Sequence, residues 1–92
     1  MAGGTAGPGE SVTGRVLSIL AVFEKSLAPR SLTEIAQETG LALSTTHRLV
    51  GELEQWGALQ RDAQGRYQVG LRLWELGQHA GRQVREIARP LL

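Results

Sequence analysis

Ser44, His47, Arg48, Gly51 and Gln55 share one side of a helical pattern whose other side carries Thr46, Leu49, Val50, Leu53 and Trp56, when residues are placed about 100° apart. The polar side offers a hydroxyl, an imidazole and a guanidinium in its first two turns, beside a position with no side chain. Such groups can hydrogen-bond base edges and phosphates in a DNA major groove, where the amino-terminal residues of a recognition helix make contact. Taken singly, each has a plainer use. Ser44 reads as the helix N-cap, His47 as a solvated surface histidine, and Arg48 as a surface charge that can pair with Glu52 four residues on. Their combination points to DNA, and Ser31, Thr33 and Thr45 complete the candidate contacts on the helices.

The elements that must hold this face are legible around it. Ser31-Leu32-Thr33-Glu34 is a capping-box pattern, so a helix begins there. Leu32, Ile35 and Ala36 fall on one face of it, and Gly40 supplies the positive φ that ends it near Thr39. The second helix starts after Leu41-Ala42-Leu43 and stops at Gly57. Small Ala36 lets the two helices cross closely and Leu49 locks them, which makes a helix-turn-helix. Upstream, Thr13 to Ser26 places Val16, Leu17, Ile19, Leu20 and Phe23 on a broad apolar face and forms the back of the core. Gly14 costs that helix about 1 kcal/mol if interior, so a start at Gly14 or Arg15 is open. Ala28-Pro29-Arg30 breaks the chain before Ser31.

Gly57 to Gly70 alternates with period two: Leu59, Arg61, Tyr67 and Val69 against Ala58, Gln60, Arg66 and Gln68. Asp62-Ala63-Gln64-Gly65 is a hairpin loop that Gly65 closes. A hairpin here is a wing, with Arg61, Gln64 and Arg66 placed to meet the phosphate backbone or the adjacent minor groove. The plainer use of these arginines is to keep an edge hairpin soluble. The fold class is therefore mainly α with a small β-hairpin: a winged helix-turn-helix, with a three-helix core plus a wing, followed by a long linker helix.

That linker begins near Leu71. Leu73, Leu76, Ala80, Val84, Ile87 and Leu91 recur at spacings of three and four, giving one apolar seam. The seam can pack on the first helix or on a second subunit; the expectation is both, with Trp74 at the core or the interface and Leu73, Leu76, Ala80, Val84 and Ile87 as dimerisation residues. A two-fold dimer would space two recognition helices by one or a few turns of DNA. Residues 1–10, with four glycines and one proline, read as a disordered leader, residues 11–70 as the DNA-binding domain and residues 71–92 as the linker.

The run Gly40-Leu41-Ala42-Leu43-Ser44-Thr45-Thr46-His47-Arg48-Leu49-Val50, followed by Gly65-Arg66-Tyr67-Gln68-Val69-Gly70, resembles the DNA-binding domain of the isocitrate lyase regulator (IclR) family of bacterial transcription factors. The likeness covers residues 12–92, and Ala88-Arg89-Pro90 resembles the opening of the family's effector domain. Thr46 stands where many such domains carry Val or Ile, and its methyl group can face the core. The resemblance implies a homodimer on near-palindromic double-stranded DNA, repression of transcription, and response to a small organic effector through a C-terminal domain. The sequence stops at Leu92 where that domain would begin, and the apolar segment Val84 to Leu92 has nothing left to pack on. The expectation is a piece of a longer chain, with a short natural product as the alternative.

Composition bounds the remaining classes. Ninety-two residues make one small domain with a modest core. With no cysteine there is no disulfide and no thiolate metal site, which suits a reducing cytoplasm. No apolar run reaches the length of a membrane span and no signal peptide is present, so the expectation is a cytoplasmic protein without a membrane partner. A net charge of +1 is neutral evidence about nucleic acid. The carboxylates Glu34, Glu38, Glu52, Glu54 and Glu75 are expected mostly on helices away from the contact edge, where Arg48, Arg61 and Arg66 gather, with Asp62 as the one opposing charge. Arginine outnumbers lysine nine to one, which a GC-rich genome explains better than DNA reading does. His47 and His79 lie far apart in this fold, and there is no phosphate loop or metal-spaced ligand set, so no catalytic residue, metal or cofactor is expected. The rival class is a winged helix serving protein interaction or dimerisation without DNA. The polar and basic face argues against it, because a protein-binding face would show aromatic or aliphatic anchors.

Overall fold

The computed structural model describes residues 11–88, with side chains described for residues 11–81. Helix α1, Val12–Lys25, is opened by the Ser11 hydroxyl, which accepts from the Gly14 amide at 2.8 Å. The helix thus starts earlier than Thr13 or Gly14, and the glycine sits in its first turn. Ile19, Val22 and Phe23 are its buried residues, while Leu17 is 59% exposed and does not belong to the core face. Two residues before Ile19, Leu17 is rotated about 160° away from it around the helix.

Helix α2, Leu32–Thr39, carries the complete capping box: the Ser31 hydroxyl accepts from the Glu34 amide and the Glu34 carboxylate accepts from the Ser31 amide. Gly40 ends it in the left-handed region at φ 77°. Helix α3, Leu43–Trp56, follows across a short turn and ends at Gly57, φ 96°. Its N-cap is Ala42, not Ser44, and no side chain caps it. The cause is Thr46. Its amide and its hydroxyl both donate to the Ala42 carbonyl at 2.9 Å, which starts the helical bonding two residues earlier than a serine cap at position 44 would. The same hydrogen bond satisfies the one polar side chain buried among the described residues, so Thr46 occupies an apolar position without an unpaired group.

The core gathers Ile19, Val22, Phe23, Ile35, Leu49, Val50, Leu59 and Tyr67, with Ala36 buried where α2 and α3 meet. Leu53 is half-buried against this cluster, but Trp56 is 45% exposed and is not a core residue. At the last turn of α3 its ring is covered from outside by the Arg72 guanidinium, 3.9 Å from the ring centre.

Strands β1, Leu59–Arg61, and β2, Tyr67–Val69, pair antiparallel in the register Leu59 to Val69, Gln60 to Gln68 and Arg61 to Tyr67. Gly65 takes φ 79° in the loop, and the Asp62 carboxylate accepts from the amides of Gln64 and Arg66 at 2.9 Å each. Arg30 adds a third, single-residue rung: it exchanges two backbone hydrogen bonds with Tyr67, at 2.9 and 2.7 Å. Helix α4, Leu71–Ala88, leaves the wing directly and approaches β1 with its early turns. Leu73 is half-buried, whereas Leu71, Trp74, Leu76 and Ala80 are exposed, so Trp74 is not in this domain's core. The leader, the side chains of Val84 and Ile87, and the segment from Arg89 onward lie outside the described residues. No helix among the described residues is long and apolar enough to cross a membrane.

Candidate nucleic-acid interface

Helix α3 presents Ser44, His47, Arg48, Gly51 and Gln55 to solvent, as its periodicity requires, and Thr45 is half-buried beside them. Because Ser44 is the second residue of the helix and caps nothing, its hydroxyl is released for an outside partner. No side chain occupies the first-turn amides either, and amides at a helix start favour an anion. His47, Arg48, Gly51, Glu52, Glu54 and Gln55 line a shallow open hollow on this face. Arg48 lies 3.6 Å from Glu52, with both side chains more than half exposed, at 54% and 66%. A pair so exposed is worth under about 1 kcal/mol and opens readily for a stronger partner. On α2, Thr33 is exposed and Ser31 is half-buried, its hydroxyl oxygen engaged in the cap.

The wing divides its candidates. Gln64 and Arg66 are exposed at the loop, and Arg66 forms no ion pair among the described residues. Arg61 is held instead: its guanidinium is 3.4 Å from the Glu54 carboxylate and 5.3 Å from the centre of the Tyr67 ring. The expected separation of carboxylates from the contact edge is therefore corrected at two positions. Glu52 sits beside Arg48 because four residues make about one helical turn, and Glu54 meets Arg61 because β1 returns along α3. Asp62 is not a free opposing charge, since its carboxylate organises the hairpin loop.

Two arginines matter here that the sequence pattern did not single out. Arg30 pairs with Glu38 at 2.8 Å, donates to the carbonyls of Ser26 and Ala28, and lies over the Phe23 ring, so it ties α1, α2 and the wing together. Arg72 donates to the Trp56 carbonyl at 3.1 Å while stacking on that indole, which fastens the start of α4 to the end of α3. A rung one residue long has no periodicity to detect, but the Trp56-Gly57 helix stop was a visible place for a cation to bind the last carbonyls.

Gly65, Tyr67 and Gly70 each have a separate physical reason. Gly65 needs its positive φ, Tyr67 is buried and bonded to Arg30, and Gly70 has no room for a side chain. A Cβ on Gly70 would collide with the Gly57 carbonyl oxygen and stand 2.9 Å from its carbon. The Gly70 amide also donates to the Ala58 carbonyl at 2.8 Å. This close backbone crossing lies immediately before the first residue of α4. Among the described residues, no group of three or more His, Asp or Glu is placed to hold a metal ion.

A family model described as the IclR helix-turn-helix domain matches residues 12–63. The transcriptional regulator KipR of Bacillus subtilis is 39% identical over 64 residues, covering 67% of this chain and 26% of the relative. The transcriptional repressor IclR of Escherichia coli is 40% identical over 67 residues, covering 72% of this chain and 22% of the relative. Among solved structures, an IclR homologue from Microbacterium sp. strain HM58-2 superposes with a TM-score of 0.73 at 32% identity, over 87% of this chain and 34% of that one. An IclR homologue of Microbacterium hydrocarbonoxydans in complex with 4-hydroxybenzoate superposes with a TM-score of 0.72 at 35% identity, over the same shares. The chain thus spans about a quarter of the length of these curated relatives and a third of the solved ones.

Proposed function

The chain belongs to the IclR family of helix-turn-helix regulators, and we propose that it is the part of a transcriptional repressor that binds a near-palindromic operator as a homodimer. The observation that carries the reading is the outer face of α3, where Ser44, His47, Arg48 and Gln55 are exposed and polar beside a wing tipped by Gln64 and Arg66. In this reading α3 enters the major groove, with Ser44, Thr45, His47, Arg48 and Gly51 at the bases or flanking phosphates. Ser31 and Thr33 face the backbone, and Arg61, Gln64 and Arg66 reach it from the wing. Residues 11–70 form the DNA-binding unit and residues 71–92 the linker to an effector domain that takes a small organic ligand. The 4-hydroxybenzoate bound to the Microbacterium homologue supports a ligand of that class. The chain acts by binding rather than catalysis, in the cytoplasm.

Duplex binding followed by fluorescence anisotropy tests the reading. Affinity is expected to fall by about 10³-fold between roughly 50 and 200 mM salt, because phosphate contacts release counterions. A flat response would favour a protein-interaction module. Arg66→Ala, and Arg61→Ala with it, should weaken all sequences alike and reduce the salt slope by about one per cation removed from each wing. An unchanged slope would take that wing residue off the backbone.

The exposed seam of α4 supports dimerisation, since Leu76 is 56% exposed on an apolar stripe. Leu76→Asp and Val84→Asp are each expected to yield a monomer by sedimentation. An unchanged dimer in both would place the interface elsewhere.

A further inference from the structure

Resting on the DNA-binding reading above, we infer that Gly51 marks the closest approach of α3 to the bases of the major groove, and that this approach makes Gln55 a specificity-determining residue for an A·T pair. Between positions 40 and 70 the chain has five glycines, and four of them have a reason inside the protein. Gly40, Gly57 and Gly65 take positive φ, and Gly70 has a carbonyl where a Cβ would be. Gly51 has neither. Its φ is not positive, and a Cβ placed on it would meet nothing within 4 Å. Glycine in a helix interior is the least favourable choice after proline, so folding alone argues for alanine here.

The position is also the middle of the outward face. His47 and Arg48 stand one turn before it and Gln55 one turn after, and all four line the same hollow. Glu52 and Glu54 contribute to the same lining. Both carboxylates are paired, Glu52 with Arg48 and Glu54 with Arg61, and the Gln55 amide on the same lining offers a donor and an acceptor to a base edge. From Ser44 to Gln55 the helix rises about 16 Å, and over such a length the groove, which winds around the duplex, curves away from both ends of a straight helix. A straight helix reaches bases at both ends of that span only if its centre lies unusually close. The missing side chain permits it. Gln55 then stands one turn past the closest point, with an amide that can bond adenine N6 and N7 together.

The test uses the 92-residue chain with Gly51→Ala, Gly51→Gln, Gln55→Ala and Arg48→Ala, read by thermal unfolding and by selection from a random duplex pool. Gly51→Ala is expected to raise Tm by about 4–8 °C and to weaken the selected duplex about tenfold, with Gly51→Gln weaker again. Gln55→Ala should lose preference for A·T at one position of each half-site, a fall in discrimination of about 5- to 150-fold. Wild-type affinity in Gly51→Ala, a lowered Tm in that variant, or an unchanged motif in Gln55→Ala would overturn the inference. If Arg48→Ala alone abolishes the motif, the DNA-binding reading stands and this inference falls; if the wild-type chain enriches nothing, both fall.

Discussion

Gly70→Ala is expected to destabilise the domain by about 3 kcal/mol or more, lowering Tm by roughly 12–24 °C. The added methyl group has no side chain to push aside, because the obstacles are the Gly57 carbonyl and the Ala58 backbone. Relief requires the strand to move away from the end of α3, which stretches the bond from the Gly70 amide to the Ala58 carbonyl and shifts the stacked Arg72. For a domain whose whole stability is about 5–15 kcal/mol, that is a large fraction. Gly77→Ala is the control: its Cβ would meet nothing within 4 Å on α4, and it should leave stability equal or improve it. Thermal circular dichroism on the two variants distinguishes a backbone collision from a general sensitivity of glycines. Equal melting for Gly70→Ala and wild type would mean that the wing and α3 are not packed as described.

Arg48→Ala is expected to do the opposite, sparing the fold and removing function. The side chain is 54% exposed and its partner Glu52 more so, so stability should change by less than about 0.5 kcal/mol. On the true operator the loss should be about 1–3 kcal/mol per contact, and larger for a dimer that makes it twice. Isothermal titration with operator and unrelated duplexes separates the roles of this guanidinium. A base reader loses affinity for the operator selectively, whereas a phosphate contact loses both alike. Curves that overlay wild type would remove Arg48 from the interface.

What the sequence made legible depended on the range of the interaction. The capping box at Ser31 and Glu34, the Gly40 stop and the Gly65 loop are each settled within four residues, and each appears as the residue types require. The outward face of α3 was legible because helical periodicity fixes it once Leu49 and Val50 are buried. Local preference failed where a competing bond within the helix, or a partner from another element, outweighed it. Serine is a far better cap than alanine, yet Thr46 anchors the helix on the Ala42 carbonyl and moves Ser44 inside. Trp56 is apolar enough for a core but meets Arg72 at the surface. The Arg30 rung and the Arg61–Glu54 pair join residues from different elements, and no local pattern announces them. Thr46 itself shows how a polar residue fits a core stripe: its hydroxyl is spent on its own helix.

The most direct test of sequence-specific reading through α3 is selection of bound duplexes from a random DNA pool by the wild-type chain at two salt concentrations, with Arg48→Ala alongside. A two-fold motif is expected in the wild-type pool, with a half-site spacing of one or a few DNA turns, and loss of that motif in the variant. The same motif enriched equally by both proteins, or no enrichment by a wild-type chain shown to be folded and dimeric, would contradict it.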